Sequence, residues 1–287
     1  MTMIDSAKNL GFSEEAQARD RCQMQFLAQL MRQGADRFVL KGGMAMRALY
    51  GSARLTKDID FDCEDSVSAQ SMKAQMPKAL EQAARATGLI GITVKQTKAG
   101  DLANKWRLDG RLQAGQPITF DVEVSRRGVP GETYVTTKTV QAPYDYRIPV
   151  FVVRVYTAEA MAAGKVNALL SENRSVPRDV YDLFDFVQQG VDPSSLWIAH
   201  VPREVLQRKR SAVWAKVDGI VFDLANAELL PYIPPALRAT IDERKWDHMR
   251  TEVANRVDVW LDTAIAQAKP AKEMDRDPQS DADLAGR

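Results

Sequence analysis

Five consecutive residues, Asp58-Ile59-Asp60-Phe61-Asp62, alternate carboxylate and apolar side chains. This alternation is typical of a β-strand, in which successive side chains point to opposite faces of the sheet. The three aspartates therefore share one face, while burial of Ile59 and Phe61 on the other face fixes the register. Mg²⁺ characteristically binds one or two such carboxylates together with substrate phosphates. The segment predicts a sheet with one metal-binding face.

A pair of glycines, Gly42 and Gly43, precedes this strand. The pair follows an apolar run at 38–40 and opens a helix-compatible segment at 44–50. Glycine lets the backbone approach a phosphate closely, and the N–H groups at a helix N-terminus favour anions. A glycine pair alone is usually a turn, and a D-x-D pair alone is usually a solvated strand end. The indication of a combined phosphate and metal site therefore comes from their order and spacing.

Composition excludes several classes of protein. The 287 residues are 45% hydrophobic, enough to bury the core of one large domain or two, and the net charge of +1 gives no overall attraction for nucleic acid. Two cysteines and two histidines argue against a disulfide framework, a zinc site and a histidine-based triad. The chain shows no signal-peptide pattern and no apolar run of about 18 residues. We therefore expect a cytoplasmic protein without a membrane segment.

The remaining pattern predicts an α/β (α+β) chain. Helices are expected up to Gly34, with Ser13 as a candidate start, at 68–87, at 158–173 and from Pro177, with Ser175 as a candidate cap. Strands are expected at 91–98, 103–112, 117–126, 133–139 and 149–157. The last of these strands is almost continuously apolar, which predicts a buried strand. We predict an N-terminal lobe with a mixed sheet over 1–157, a helical lobe over 158–269 and a disordered tail over 270–287.

The helix at 158–173 carries Lys165 on the same face as Met161 and Leu169. Its side chain either extends along the edge of the core to water or is held toward a buried site, where the ammonium could bind a triphosphate. The pattern alone favours the first. In the next helix Arg178 and Asp182 are four residues apart and can form a surface ion pair.

A basic run follows in the helical lobe, with Trp214 among its cations. The run could hold RNA phosphates, although it is more often a solvated helix face. Its members are Arg203, Arg208, Lys209, Arg210 and Lys216.

Two of these patterns resemble one enzyme family. Lys41-Gly42-Gly43 followed by Arg54-x-Thr56-x-Asp58-Ile59-Asp60-Phe61 resembles the AbiEii type IV toxins, with the MenT toxins as relatives, within the nucleotidyltransferases related to DNA polymerase β. Lys165 followed by Arg178-Asp179-Val180-Tyr181-Asp182-Leu183 resembles the later motifs of that family. The match covers roughly 37–187. Met44 departs from the threonine or serine of many relatives, which removes a hydroxyl contact to phosphate but not the backbone contacts.

The resemblance implies roles for individual residues. It makes Asp58, Lys165 and Asp182 catalytic. Nucleotide binding would involve Lys41, Gly42, Gly43, Arg54, Thr56 and Lys165. The metal ligands would be Asp58, Asp60 and a third carboxylate from a neighbouring strand, for which Asp121 is the candidate and Glu123 the second. Thr56 matches a hydroxyl that some MenT relatives use for control by modification, and the sequence leaves open whether that applies here.

The implied fold has a polymerase β-like lobe and a helical lobe with the active site in the cleft between them. The implied function is transfer of a nucleoside monophosphate from an NTP, with Mg²⁺ or alternatively Mn²⁺, to an acceptor expected to be the tRNA 3′ end. The partners would be NTP, tRNA and a cognate antitoxin of a phage-defence system. Nucleotidylation of a protein or a small molecule, and a catalytically silent binding module, are the alternatives.

Overall fold

The computed structural model describes residues 4–64, 66–172, 174–198 and 200–271. The chain forms two compact units. The first contains the described residues up to Tyr156 together with Tyr232–Ala236, and the second contains the described remainder. Most of the tail predicted to be disordered, from 272 onward, lies outside the described residues.

The first unit is built on a seven-stranded mixed sheet with the order β3-β4-β5-β2-β1-β7-β6. Strand pairs β1–β7 and β2–β5 are parallel, and the other neighbours are antiparallel. This confirms the predicted α/β class with a mixed sheet. The strands are β1 Phe38–Lys41, β2 Asp58–Cys63, β3 Ile90–Lys98, β4 Ala103–Arg111, β5 Pro117–Ser125, β6 Val135–Val140 and β7 Phe151–Tyr156, and the helices are α1 Glu14–Arg32, α2 Gly42–Leu49 and α3 Ala69–Thr87.

The alternation in β2 separates a core face from a polar face, as predicted. Ile59 and Phe61 are fully buried, and Phe61 makes edge-on ring contacts with Phe26 of α1 at 6.4 Å and with Phe38 of β1 at 5.9 Å. Such aromatic pairs add to the free energy gained from burial of apolar area. The aspartates of β2 point the other way and are partly exposed. The core therefore fixes which face of the sheet presents the carboxylates.

The second unit is helical. Its elements are α4 Ala158–Leu169, α5 Pro177–Gln188, α6 Ser194–Ile198, α7 Arg203–Asp218, α8 Phe222–Glu228 and α10 Glu243–Gln267, and the short α9 Pro235–Arg238 lies where the chain returns from the first unit. The long helix α10 packs against α5 and α7. Its Trp246 and Trp260 are buried core residues, and Trp246 donates from Nε1 to the carbonyl of Ile220 at 2.9 Å. In the described chain no helix has both the length and the apolarity for a membrane crossing.

Three local expectations were wrong. Residues 7–11, which were expected to be helical, form turns, whereas the first helix begins at Glu14 with the candidate Ser13 as its cap, accepting from the N–H of Ala16. Val150 and Val152 are exposed, because β7 pairs with β1 only near its end. The cap of α5 is Val176 rather than Ser175.

Candidate active site

The glycine pair packs directly against the aspartate strand. Helix α2 begins at Gly42, whose φ of +66° lies in the left-handed region that favours glycine. A β-carbon on Gly42 would collide with the carboxylate of Asp60 and would lie 3.3 Å from the Asp60 Cβ. Asp60 therefore lies beside the first turn of α2, where backbone N–H groups lack helical partners.

Gly43 makes a second close contact. A β-carbon there would lie 2.6 Å from the hydroxyl oxygen of Thr56 and 3.1 Å from Nη1 of Arg54. Both side chains are buried, and the Thr56 hydroxyl donates to the carbonyl of Asp58 at 3.1 Å and accepts from its N–H at 3.4 Å. Arg54 and Thr56 thus lie under the glycine turn, and Thr56 holds the backbone of Asp58. Their predicted contact with a nucleotide stays a prediction.

Lys41, the residue before the glycine pair, is held by the last aspartate of β2. Its Nζ lies 2.6 Å from Oδ1 of Asp62, and the hydroxyl of Tyr156 donates to Oδ2 of Asp62 at 2.6 Å. Burial, with the charge of Asp62, raises the pKa of Tyr156, so the phenol stays a donor. Met44 is fully buried.

The parallel pairing of β2 and β5 brings further carboxylates to the polar face. Asp58 lies opposite Asp121, and Asp60 lies opposite Glu123. In the described chain no three His, Cys, Asp or Glu side chains form a group able to hold a metal ion. The partly exposed Asp58 and Asp60 still suit Mg²⁺, since this ion commonly takes one or two protein carboxylates and completes its shell with phosphate and water.

Asp121 pairs with two cations that were not predicted from the sequence. Arg107 binds it in a fork, with Nε 2.8 Å from Oδ1 and Nη2 3.0 Å from Oδ2, and Nζ of Lys105 lies 2.9 Å from Oδ2. The Arg107 guanidinium, against a smaller opposing effect of burial, holds the pKa of Asp121 below its usual range. Alternation in β4 places both cations on one face, but their pairing with Asp121 follows from the β4–β5 register.

In the second unit, Lys165 joins α4 to α5. Its Nζ lies 2.6 Å from Oδ2 of Asp182 and 3.0 Å from Oδ1 of Asp179, and both aspartates are buried. Nε of Arg174 lies 2.8 Å from Oδ2 of Asp179. Lys165 is only 12% exposed, so it is held by buried carboxylates rather than extended to water. Asp179 was not predicted as a site residue, although its position three residues before Asp182 places both on one helix face.

Most cations of the basic run make contacts within the second unit. Arg210 pairs with Asp258 and Asp262 of α10, and Lys209 donates to the side chain of Asn167. Arg203 donates to the carbonyl of Ala268, and Lys216 donates to the carbonyls of Ser171 and Glu172. Trp214 is 43% exposed. These contacts favour a structural role for the run over an RNA-binding one.

Solved structures with this fold include nucleotidyltransferases. JHP933 from Helicobacter pylori aligns over 93% of this chain and 96% of its own, with 17% identity and a TM-score of 0.53. A nucleotidyltransferase toxin of Mycobacterium tuberculosis, MenT4, aligns over 94% and 96%, with 20% identity and a TM-score of 0.52. At these identities the likeness shows the fold. No curated protein sequence matches the chain significantly.

The family itself is shown by sequence. The family model described as "Nucleotidyl transferase AbiEii toxin, Type IV TA system" matches residues 25–265, which include the glycine pair, the aspartate strand and the Lys165 cluster. The chain therefore belongs to the AbiEii family of type IV toxin–antitoxin nucleotidyltransferases.

Proposed function

We propose that this nucleotidyltransferase moves a nucleoside monophosphate from an NTP to the 3′ end of a tRNA, with Mg²⁺, as a phage-defence toxin that a cognate antitoxin neutralises. One observation supports the chemistry above all others. Gly42 packs on the carboxylate of Asp60, and Gly43 packs on the hydroxyl of Thr56, which holds the backbone of Asp58. A phosphate-binding helix start and a pair of metal-binding carboxylates are thereby joined in one packed element.

The helix start supplies the proposed phosphate site. Helix α2 begins at Gly42 after Lys41, whose side chain makes no capping hydrogen bond, and the first N–H groups of the helix would donate to phosphate oxygens. The ammonium of Lys41 is fixed by Asp62 and is one-third exposed, so it adds a positive charge beside the turn. Arg54 and Thr56 support the turn from below.

Asp58 and Asp60 would hold Mg²⁺, or Mn²⁺ in its place, together with phosphate oxygens of the NTP. The metal would polarise the α-phosphate and favour the ionised form of the acceptor hydroxyl. In the transfer, a bond forms between the 3′ oxygen and the α-phosphorus. The bond from that phosphorus to pyrophosphate breaks, and the hydroxyl proton is released.

The catalytic roles proposed for Lys165 and Asp182 are inferred from the family resemblance. The ammonium of Lys165 would bind leaving phosphates as a point charge, and Asp182 and Asp179 would fix its position. The tRNA acceptor also rests on the resemblance.

The test combines purified protein, Mg²⁺ and bulk tRNA with each α-labelled NTP in turn. We expect label on tRNA with the native chain and none with Asp58→Ala, whose melting temperature should stay close to that of the native chain because the residue is partly exposed. Asp36→Ala removes an exposed carboxylate before β1 and serves as the matched control, with full transfer expected.

Other results would select an alternative. Label on a protein band or on a small molecule, dependent on Asp58, would replace the tRNA acceptor. Absence of turnover with every acceptor would favour a silent binding module. Full transfer by Asp58→Ala would refute the metal assignment.

A further inference from the structure

Two cations beside the carboxylate pair have no role in the function proposed so far. Lys105 and Arg107 lie on the polar face of β4, and Arg107 lies opposite Asp121, which in turn lies opposite Asp58. Burial lowers the pKa of Lys105, but hydrogen bonding to Asp121 and the charges of Asp121 and Asp58 outweigh it and raise that pKa. Hydrogen bonding to Asp121 chiefly raises the pKa of Arg107, with a smaller contribution from the charge of Asp58. The two cations are therefore neighbours of the proposed metal site.

The geometry of Asp121 disfavours the role of third metal ligand. Its side chain is 9% exposed, and both carboxylate oxygens already accept charge-assisted hydrogen bonds from Arg107 and Lys105. A metal bound there would compete with a forked guanidinium, which is among the stronger ion pairs of proteins.

The two cations keep donors available for a ligand. The fork uses Nε and Nη2 of Arg107, and within the described chain Nη1 has no hydrogen-bond partner, while the side chain is 49% exposed. Lys105 directs one contact to Asp121, is 30% exposed and has further N–H groups to donate. The ammonium of Lys105 and the guanidinium of Arg107 together can donate hydrogen bonds to the oxygens of a phosphate group.

We propose that Asp121 is a positioning residue, not a metal ligand, and that it holds Lys105 and Arg107 as a binding site for a substrate phosphate beside Asp58. This inference rests on the proposed function for the identity of the substrate. The phosphate belongs either to the NTP or to the RNA acceptor, and the two share the same chemistry.

The experiment measures binding in the full chain without turnover. The variants are Lys105→Met, Arg107→Met and Asp121→Asn, and Arg111→Met is the matched control, since Arg111 lies exposed on the same strand away from Asp121. The first probe is Mn²⁺ alone, and its binding is measured by electron paramagnetic resonance. The other probes are tripolyphosphate, a non-hydrolysable NTP and tRNA, and the binding of each is measured by calorimetry. Thermal unfolding checks that every variant is folded.

We expect Lys105→Met and Arg107→Met to weaken phosphate binding on the order of tenfold or more, because each removes charge-assisted hydrogen bonds. Asp121→Asn should weaken it by less, and Arg111→Met should not. Affinity for Mn²⁺ alone should change less than about twofold in all four variants, because none of them alters Asp58 or Asp60, the two proposed ligands. Weakening for tripolyphosphate and NTP assigns the site to the nucleotide, whereas weakening for tRNA alone assigns it to the acceptor.

Three results would overturn the inference. Loss of Mn²⁺ affinity in Asp121→Asn alone would make Asp121 a metal ligand. Unchanged phosphate binding in folded Lys105 and Arg107 variants would leave only a structural ion-pair cluster, and an equal loss in Arg111→Met would indicate a non-specific charge effect. These readouts need no transfer activity, so failure of the labelling test with native protein would refute the proposed function without deciding this one.

Discussion

At the scale of single residues, the two glycines of the turn are required by different neighbours. Gly42 faces the carboxylate of Asp60 and has a positive φ, whereas Gly43 faces Thr56 and Arg54 with no positive φ. Substitution of Gly42 therefore combines a backbone cost with a collision at a proposed metal ligand. Other positive-φ glycines, such as Gly91, have open space where a β-carbon would be.

This difference makes Gly42→Ala and Gly91→Ala an informative pair. Each should lose about 1–2 kcal/mol of stability from the backbone alone, because alanine is disfavoured in the left-handed region, and Gly42→Ala should lose more through the collision with Asp60. Only Gly42→Ala should also move the Asp60 carboxylate, so we expect its transfer rate to fall on the order of tenfold or more. Urea unfolding and the tRNA-labelling rate measure the two effects. Equal rates for the two variants would contradict the proposed joint site at the turn.

The polar face of β2 could be predicted from sequence, because period-two alternation alone assigns Asp58 and Asp60 to one face. The neutralisation of Asp121 could not be predicted with the same means. It depends on how β4 and β5 are aligned, and that alignment brings Arg107 opposite Asp121. A pattern within one strand carries no information about the register of the next.

At the scale of elements, α4 and α5 are joined through an ammonium between two buried carboxylates. Removing one partner of a buried ion pair leaves an uncompensated charge, which typically costs about 3–5 kcal/mol. Arg174 still compensates part of the charge on Asp179. Lys165→Met should therefore destabilise the second unit by an amount near the lower end of that range.

The double variant Lys165→Met with Asp182→Asn should recover part of this loss, since it neutralises one of the two buried carboxylates that lose the Lys165 ammonium. Lys216→Met is the matched control, because its ammonium donates to backbone carbonyls, and it should cost less than about 1.5 kcal/mol. Urea unfolding followed by tryptophan fluorescence measures all three. A double variant no more stable than Lys165→Met would show that charge compensation is not what Lys165 supplies.

Most elements could be predicted from hydrophobic periodicity, but their ends depended on capping and pairing. Ser68 caps α3 as its sequence position suggests, and Gly88 ends that helix in the left-handed conformation. For β7 the apolar run indicated full burial, yet Val150 and Val152 extend beyond the part paired with β1. The composition of a strand shows that its side chains are apolar. Their burial depends on which neighbouring strands and helices cover them.

At the scale of the whole molecule, the chain returns to the first unit after most of the second has been formed. Tyr232–Ala236 belongs to the first unit, and the carbonyl of Tyr232 accepts from the N–H of Leu55 at 2.9 Å. Ile233 in this segment is 1% exposed. Nothing in the local sequence of 232–236 marks it as part of a sheet domain that otherwise ends at Tyr156.

The two units carry separate probes. Both cysteines, Cys22 and Cys63, lie buried in the first unit, and burial raises the pKa of Cys22 to about 12, so its thiol reacts only when the unit opens. The second unit contains four of the five tryptophans, namely Trp197, Trp214, Trp246 and Trp260. Thiol labelling therefore reports opening of the first unit, and fluorescence mainly reports unfolding of the second.

The segment Tyr232–Ala236 should stabilise the first unit, although it is distant in sequence from the rest of that unit. Ile233→Ala removes a buried side chain, a change that typically costs about 2–5 kcal/mol, so thiol labelling at a fixed urea concentration should accelerate. Ile241→Ala makes the same substitution at a buried site of the second unit and should shift mainly the fluorescence transition. If both variants changed both signals equally, the chain would unfold as one cooperative body and the two units would have no separate stability.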